Sequence, residues 1–273
     1  MTDLRASPLG HATTYTDAYD PRLLFAVERG PQRAELNLPQ PLPFTGADLW
    51  TAYELSWLDR DGKPQVAIGT FTVPADSPCI VESKSVKLYL ASFNQSPFDS
   101  ADAVKATMAR DLSAAAGSTV GVSLAQPDEF ARLPHGELDG TDLDALPLAH
   151  HDDAPAPDRL LADGPMTEAT LRTRLFRSVC PVTGQPDYAT VQISYRGERV
   201  DPSGLLAYLV SYRRHPGLHE QCVERIYTDL WRRCAPMALT VYARFTRRGG
   251  LDINPYRTST GAPPPANLRT ARQ

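Results

Sequence analysis

Cys180 is the residue of this sequence whose type and surroundings best fit nucleophilic chemistry. It lies in the segment Phe-Arg-Ser-Val-Cys-Pro-Val-Thr-Gly-Gln-Pro-Asp-Tyr, with Arg177 and Ser178 before it and Asp187 seven residues after it. A thiolate is the competent nucleophile, and nearby positive charge or a base favours that form. Asp187, folded back by the Gly-Gln-Pro turn, would serve as a general acid in a partly desolvated site. A buried structural cysteine and a turn aspartate are the competing interpretations.

Three polar residues, Glu82, Ser83 and Lys84, stand at the start of a second segment of interest, residues 81–95. The apolar residues that follow recur at i, i+3, i+4 and i+7, the spacing of one helix face. They are Val86, Tyr89, Leu90 and Phe93. Because the first N–H groups of a helix lack intrahelical partners, this start is suited to a polar or anionic ligand.

His219 and Glu220 open another predicted helix. Glu220 either contacts a ligand or simply complements the helix dipole. His219 and Cys222, three residues apart, would supply half of a zinc site, but no second paired motif in the sequence supplies the other ligands. A metal is therefore not expected here.

The run from Arg244 to Gly250 places Arg247 and Arg248 beside two glycines. Guanidinium groups next to flexible backbone suit a phosphate, although a solvated strand end has the same composition. The sequence has no strand-linked G-x-G-x-x-G and no P-loop, so the Rossmann and NTPase modes of nucleotide binding are not supported. Any nucleotide is expected to be held in another way.

The elements that position these residues follow the same order in each half of the chain. In the first half, alternation over Leu49–Trp57 and a β-rich run over 66–73 flank the turn 59–62 and predict a hairpin. The helix of residues 81–95 follows and is broken at Ser96-Pro97. A second helix over 101–116 ends at Gly117, and a strand over 119–124 completes the half.

The second half repeats this order, and the repeat can be followed by sequence offset. Five residues of the first helix match five of the second at an offset of 119; they are Tyr89, Leu90, Ser92, Phe93 and Pro97 with Tyr208, Leu209, Ser211, Tyr212 and Pro216. The hairpin turns match at 122, and the second helices are paired at 119 through Val104 with Val223 and Met108 with Tyr227. We interpret this as a tandem duplication of a ββαα module.

An α+β fold follows, with an antiparallel sheet and paired helices on one face of each module. The predicted organisation is an N-terminal arm (1–45) with an apolar patch at Leu23–Phe25, a first module (46–130), a Pro-rich linker (131–165), a second module (166–260) and a flexible tail (261–273).

The two copies also differ where chemistry is expected. At the offset of 122, Leu58 and Gln65 stand where the second copy has Cys180 and Asp187. In the other direction, Asp201-Pro202-Ser203 stands where the first copy has Glu82-Ser83-Lys84. The sequence therefore predicts a divided active site of which each copy supplies half, so that neither half works alone.

The overall composition favours a small-molecule partner. The chain has 273 residues, 42% of them hydrophobic, a formal net charge of −4 and a pI near 5.9, which gives no attraction to nucleic acid or to an anionic membrane. The start Met-Thr-Asp-Leu-Arg lacks the apolar core of a signal peptide, and no apolar run is long enough to span a membrane. A cytoplasmic location and four free thiols, Cys79, Cys180, Cys222 and Cys234, are expected.

Together, three segments resemble the family of NADPH-dependent 7-cyano-7-deazaguanine reductases, the nitrile reductases of queuosine biosynthesis. The segments are Val81–Tyr89, Cys180–Asp187 and His219-Glu220, and their division between the halves is that of the long, bimodular branch. The resemblance also runs through Leu9-Gly10, Tyr15, Tyr19-Asp20-Pro21 and Pro43–Asp48. It thus covers nearly the whole chain apart from the linker and the residues after about 260.

The resemblance implies tandem tunnelling folds (T-folds) in a homo-oligomer, a dimer being the expectation, whose sheets form a barrel with sites at interfaces. It implies reduction of a nitrile to an aminomethyl group with two NADPH, as a step of tRNA modification without direct contact with nucleic acid. By resemblance, Cys180 forms a covalent thioimide with the nitrile carbon and Asp187 supplies protons.

The remaining site residues are also assigned by resemblance. The deazapurine would be held by Val81, Glu82, Ser83, His219 and Glu220, and NADPH by Ser83, Lys84, Arg248 and Gly249, with the choice between Arg247 and Arg248 left open. Two rivals remain: a zinc-dependent purine or pterin cyclohydrolase using Cys180, His219 and Cys222, and a non-catalytic purine-binding module.

Overall fold

The computed structural model describes residues 6–8, 15–148 and 150–273, so the Leu9-Gly10 similarity and part of the expected arm lie outside it. The chain divides into two compact units. Unit 1 comprises Met1–Glu35, Asp48–Leu133 and Arg247–Ile253, and unit 2 comprises Leu36–Ala47, Pro134–Thr246 and Asn254–Gln273. Each unit thus takes short segments from both ends of the chain, unlike the contiguous modules expected from the sequence.

Unit 1 is built mainly from the first half of the chain. Its elements are β1 (Ala26–Glu28), α1 (Gly30–Glu35), β2 (Thr45–Leu58), β3 (Pro64–Pro74), β4 (Cys79–Val81), α2 (Ser83–Ala91), α3 (Ala101–Ala116) and β5 (Gly121–Ala125). Of β2, residues 48–58 belong to this unit. The predicted hairpin, both helices and the last strand are present, with α3 over the expected residues.

The helix ends in unit 1 follow ordinary capping chemistry. Ser100 Oγ accepts a hydrogen bond from the Ala103 N–H group (3.1 Å) and begins α3. Gly117 ends the same helix in the left-handed region at φ +69°, where a side chain would be strained. The predicted stop at Gly117 is therefore confirmed.

The core of unit 1 lies between its sheet and the helices α2 and α3. The apolar stripe predicted for α2 is buried in it, together with one face of α3 and inward residues of β2 and β3. In β2 these residues are Trp50, Ala52, Leu55 and Trp57, so the inward positions change from even to odd within the strand. The expectation of one face from Leu49 to Trp57 is therefore wrong for the first half of β2, because the alternation shifts by one residue.

The N-terminal arm is part of unit 1 up to Glu35. Its strand β1 pairs with β4 in antiparallel register, with Ala26 opposite Val81, and Leu23 and Leu24 pack against the core. Arg29 forms a buried ion pair of 2.5 Å with Asp48. The apolar patch predicted to lie over the domain does so in the described residues.

Unit 2 contains the second half of the chain. Its elements are β6 (Thr141–Asp142), β7 (Ala162–Val179), β8 (Pro186–Val200), α4 (Pro202–Val210), α5 (His219–Cys234), β9 (Ala238–Phe245) and the end of β10 (Leu251–Thr258). The strand order is β10-β9-β8-β7-β6, antiparallel except for the short parallel pair β6–β7. The helices α4 and α5 pack on this sheet, so the α+β prediction is confirmed for the unit.

Parts of the predicted linker (131–165) and of the predicted tail (261–273) are packed onto unit 2. In the predicted linker, Leu138, Leu143 and Leu160 are buried. In the predicted flexible tail, Thr270 and Gln273 are buried and hydrogen-bonded. These isolated leucines and amides carry no periodic signal in the sequence, and their partners lie on the sheet of unit 2.

The duplication is visible in matching hydrogen bonds. Ser92 Oγ donates to the Tyr89 carbonyl and Ser211 Oγ donates to the Tyr208 carbonyl, each at 2.6 Å, which bears out the offset of 119 for the first helices. Tyr89 Oη contacts Asp111 Oδ2 at 2.8 Å and Tyr208 Oη contacts Asp229 Oδ2 at 2.6 Å.

The second helices therefore correspond at an offset of 118 (229 − 111), not 119. The residues at this offset that are buried in both copies include Val104 with Cys222 and Met108 with Ile226, in place of Val223 and Tyr227.

The two hairpin turns differ in length by one residue, which changes the first-copy residue that corresponds to Cys180. Strands β2 and β3 are separated by residues 59–63, whereas β7 and β8 are separated by residues 180–185. Leu58 bridges to Pro97 as Val179 bridges to Pro216. The first-copy counterpart of Cys180 is therefore Asp59 rather than Leu58, because the extra residue lies after this position.

No helix among the described residues is long and apolar enough to cross a membrane.

Candidate active site

Cys180 opens the turn between β7 and β8. Its N–H group donates to the Gln185 carbonyl at 2.8 Å, and its carbonyl accepts from the Gly184 N–H group at 3.0 Å. Gly184 has φ +68°, a conformation that glycine adopts without strain. The side chain of Cys180 is buried at the end of a long hairpin, and its thiol is free.

Asp187 lies in β8 of the same hairpin, close to the turn. It is opposite Ser178 in the β7–β8 register and only 5% exposed. Its Oδ1 lies 3.6 Å from Nε2 of His219. The structure thus brings together two of the residues that the sequence singled out separately.

His219 is held by an aromatic stack that the sequence did not reveal. It is the first residue of α5, and its ring lies parallel to the Phe245 ring, with centroids 3.8 Å apart and an interplanar angle of 1°. In the described part of the chain, its Nδ1 is buried without a hydrogen-bond partner. The ring plane is fixed by Phe245, and Nε2 is directed to the carboxylate of Asp187.

Glu220 follows in the first turn of α5 and is buried. The Leu218 N–H group at the helix start is satisfied by Gln221 Oε1 at 3.0 Å rather than by Glu220. In unit 2, Cys180 and Asp187 therefore lie at the turn and the beginning of β8. His219 and Glu220 lie in the first turn of α5.

Cys222 is chemically distinct from Cys180. It is fully buried, and this burial raises the pKa of its thiol from 9.0 to about 12, with the Ser178 hydroxyl acting in the opposite direction. The group stays protonated at neutral pH, unlike a nucleophile or a metal ligand. The described residues contain no cluster of three or more His, Cys, Asp or Glu side chains suited to a metal, so the zinc alternative gains no support from them.

Glu82 caps α2 in unit 1. Its Oε1 accepts from the Lys84 N–H group at 2.6 Å and its Oε2 from the Ser85 N–H group at 2.8 Å, while Ser83 Oγ contacts Oε1 at 3.4 Å. The expectation that these N–H groups are available to an anion is therefore wrong, because the carboxylate of the motif itself occupies them. A carboxylate has about four acceptor positions, so Glu82 retains capacity for a further donor.

The motif is also anchored to the N-terminal arm. The Glu82 N–H group donates to the Phe25 carbonyl at 2.8 Å, and the Phe25 N–H group donates to Ser85 Oγ at 3.0 Å. Val81, which precedes Glu82, is buried in β4. Residues far apart in sequence thus fix the backbone of Val81 and Glu82.

A basic group of side chains lies in unit 1 near the turn 247–250. Arg248 bridges to Leu251, and Gly249 takes φ +58°. A Cβ atom at Gly249 would stand 3.4 Å from Lys87 Cδ, so the stem of Lys87 packs against this turn. Lys87 was not singled out by the sequence, although its position one helical turn after Lys84 places the two ammonium groups on one helix side.

This donor set fits a phosphate-bearing cofactor. Lys84 and Arg248, both partly exposed, supply charge, and the exposed Gly249 leaves backbone accessible where a side chain would intrude. Arg247 is engaged differently, since its guanidinium lies over the Tyr53 ring at 5.2 Å. Of the two arginines left open by the sequence, Arg248 stays the predicted cofactor residue.

Comparisons with known proteins agree with the resemblance seen in the sequence. A family model described as "Nitrile reductase, 7-cyano-7-deazaguanine-reductase N-term" matches residues 15–124, and one described as "QueF-like protein" matches residues 186–263. Proteins named NADPH-dependent 7-cyano-7-deazaguanine reductase from Burkholderia mallei and Burkholderia ambifaria are each 56% identical over 269 residues, covering 98% of both chains. The protein of that name from Burkholderia multivorans is 55% identical with the same coverage.

A crystal structure of the archaeosine synthase QueF-Like in the apo form is 20% identical, with a TM-score of 0.32, and covers 37% of this chain and 100% of that chain. That likeness is too distant to bear on the site.

Proposed function

The chain belongs to the family of NADPH-dependent 7-cyano-7-deazaguanine reductases, and from this premise we propose the roles of its residues in reducing the nitrile of 7-cyano-7-deazaguanine to an aminomethyl group. The identity of 56% over 98% of both chains is the observation that carries the activity. The protein is an oxidoreductase of queuosine biosynthesis, and NADPH is its reductant.

The reaction needs two hydrides and two protons for each nitrile. When bound, NADPH supplies the hydrides, so two molecules are oxidised per turnover. A nitrile carbon is a poor hydride acceptor, and attaching a nucleophile to it divides one difficult step into easier ones. The protein must therefore supply a nucleophile, a proton source and a site that recognises the ring.

Cys180 is the proposed nucleophile. Its sulfur forms a bond to the nitrile carbon as one π bond of the C≡N group breaks, and the nitrogen takes up a proton to give a thioimide. The position supports this role because Cys180 opens a turn of the hairpin and is held there by two backbone hydrogen bonds. Cys222, whose pKa is about 12, is a poor alternative.

Asp187 is the proposed proton donor, and His219 is its neighbour. Asp187 Oδ1 lies 3.6 Å from His219 Nε2, so the imidazole stands beside the carboxylate. Both side chains are largely buried, which limits exchange with bulk water. Asp187 donates to the nitrogen, and His219 keeps the carboxylate oriented.

Carboxylates are suited to recognise the N–H edge of a guanine-like ring, because they accept hydrogen bonds and a cationic side chain cannot. We assign this role to Glu220 with His219 in unit 2, and to Glu82 with Val81 and Ser83 in unit 1. Lys84, Ser83, Arg248 and Gly249 would hold the phosphates and sugar of NADPH.

The assembly is also proposed from the resemblance. An antiparallel sheet with two helices packed on it, present in each unit, is consistent with tandem T-folds. We propose a homodimer in which sheets complete a barrel. Light scattering after size-exclusion chromatography tests the subunit number, and a monomer with full activity would contradict it.

The deciding experiment follows NADPH oxidation at 340 nm with 7-cyano-7-deazaguanine. Two NADPH are expected to be consumed for each nitrile, and activity is expected to survive chelators. A lack of oxidation with this nitrile would overturn the assignment. If the purified protein carries stoichiometric zinc and loses its activity together with that zinc on chelation, a cyclohydrolase-like enzyme is favoured. Ligand binding without turnover would favour a binding module.

A further inference from the structure

We infer that Gln273 is a positioning residue for the reduction, acting through Phe245 on the ring of His219. The inference rests on the proposed function, because it assigns a purpose to the plane in which His219 is held. All the residues involved belong to unit 2. Their contacts form a chain from the last segment of the sequence to the carboxylate of Asp187.

The side-chain amide of Gln273 is buried and fully used. Its Nε2 donates to the Phe245 carbonyl and to Asn254 Oδ1, each at 2.9 Å. Its Oε1 accepts from Arg244 Nε at 2.9 Å and from the Thr270 N–H group at 3.1 Å. Because each donor and acceptor has a defined partner, the amide holds one orientation.

These bonds hold the β10 side of the Phe245 backbone, while β9 remains paired with β8 at Ala189 opposite Phe245. The pairing between β9 and β10 ends at Tyr242 opposite Tyr256. Three residues farther along β9, the Phe245 N–H group donates to Asn254 Oδ1 at 3.0 Å, and its carbonyl accepts from Gln273. On the β10 side, Asn254 and Gln273 therefore take the place of a neighbouring strand for the polar groups of Phe245.

The aromatic ring of Phe245 transmits this constraint. It is fully buried and lies flat against His219 at a centroid distance of 3.8 Å. A second ring, Phe176, packs edge-on against it at 5.9 Å and 90°. A shift of the Phe245 backbone would therefore displace or tilt His219 and change the 3.6 Å approach of its Nε2 to Asp187.

A structural role alone would not explain this arrangement equally well. If Gln273 only closed the core, its loss would lower stability and leave the chemistry of folded molecules unchanged. A positioning role predicts a defect in folded molecules, because small displacements of reacting groups cost large factors in rate. The two roles are therefore separable by normalising activity to the fraction of competent molecules.

The test compares three variants with a matched control. Gln273→Ala removes the amide, Phe245→Leu removes the aromatic stack while keeping the backbone groups, and the double variant removes both. Tyr195→Phe is the control, since it deletes a buried hydrogen bond of unit 2 to the Val200 N–H group at 3.0 Å. Competent molecules are counted by covalent capture of 7-cyano-7-deazaguanine on Cys180 without NADPH, read by intact-protein mass spectrometry.

Per competent molecule, kcat of Gln273→Ala and of Phe245→Leu is expected to fall about tenfold, with KM for NADPH within about twofold of the wild type. The pH profile of kcat is expected to move in both variants and not in Tyr195→Phe. In the double variant the losses should be less than multiplicative, since both changes act on the same ring. Wild-type kcat in Gln273→Ala, or fully multiplicative losses, would overturn the inference.

Gln273→Glu keeps the test decisive if alanine prevents folding. The carboxylate can still accept from Arg244 but cannot donate to the Phe245 carbonyl, so the same loss of kcat is expected. Failure of the proposed function is distinguishable, because the wild-type protein would then show neither capture on Cys180 nor NADPH oxidation. If the wild-type protein turns over and the Gln273 variants keep its kcat, this inference is refuted and the proposed function stands.

Discussion

Gln65 Nε2 donates a hydrogen bond of 2.9 Å to Asp59 Oδ2 in unit 1, and these residues hold the hairpin positions that Asp187 and Cys180 hold in unit 2. The correspondence follows from the turns, since the Asp59 N–H group donates to the Lys63 carbonyl just as the Cys180 N–H group donates to the Gln185 carbonyl. Side chains at these two positions are thus able to meet across the hairpin. We expect Cys180 and Asp187 to approach each other in the same way, across a turn that is one residue longer.

The first prediction concerns the covalent adduct. Wild-type protein mixed with 7-cyano-7-deazaguanine in the absence of NADPH is expected to gain the mass of one substrate molecule. Cys180→Ala should show no such gain, because the attacking sulfur is absent. Cys222→Ala is the control and should still form the adduct. An adduct that persists in Cys180→Ala would remove that residue from the mechanism.

The second prediction concerns Asp187. Asp187→Asn should still bind 7-cyano-7-deazaguanine but lose NADPH oxidation by about 10²-fold or more, the range for loss of a general acid. Gln65→Ala, at the equivalent position of the first hairpin, should keep near wild-type turnover. Both are followed by steady-state kinetics, and full activity of Asp187→Asn would reduce that residue to a turn aspartate.

A third prediction separates capping from ligand recognition. Glu82 and Asp201 cap the corresponding helices α2 and α4 through two backbone N–H groups each. Alanine at either position is expected to lower the free energy of unfolding by about 1 kcal/mol. Only Glu82→Ala should also raise KM for the deazapurine, by about tenfold or more, because it alone is assigned to recognition. Equal KM values in the two variants would leave Glu82 with a capping role.

Arg248 and Arg247 give a fourth, paired comparison. Arg248→Ala is expected to raise KM for NADPH by about 10- to 100-fold, the loss of one charge-assisted hydrogen bond. Arg247→Ala should have a smaller effect, since that guanidinium lies over the Tyr53 ring. Adduct formation on Cys180 should be normal in both variants. The assignment would have to be reversed if Arg247→Ala had the larger effect.

The fifth prediction concerns alkaline stability. Burial raises the pKa of Cys222 from 9.0 to about 12, so the stabilisation from its protonated form is complete below pH 9 and is lost between pH 9 and 12. In this window the free energy of unfolding of the wild-type protein should fall by up to about 1.4 kcal/mol per pH unit more than that of Cys222→Ala. Urea unfolding at pH 8, 9 and 10 measures the difference, and parallel pH dependences would contradict it.

Local sequence signals predicted the elements well where pattern and capping agree. The helix over 101–116 has an apolar stripe, a serine at its start and a glycine at its end, and the structure places α3 over those residues. Gln273 and the leucines of the 131–165 segment carry no such periodicity. Their burial depends on partners distant in sequence, such as Phe245 for Gln273, and no local pattern specifies those partners.

The sequence by itself determined the family, the duplicated order of elements and the residue types for chemistry, because motif identity and periodicity are properties of the linear chain. Tertiary structure alone decided that Glu82 occupies the helix N–H groups of its own motif, that Asp59 is the counterpart of Cys180, and that Phe245 holds His219 against Asp187. Each depends on distances of 3 to 4 Å between groups set by turn length and packing, and neither turn length nor packing is encoded in the spacing of a motif.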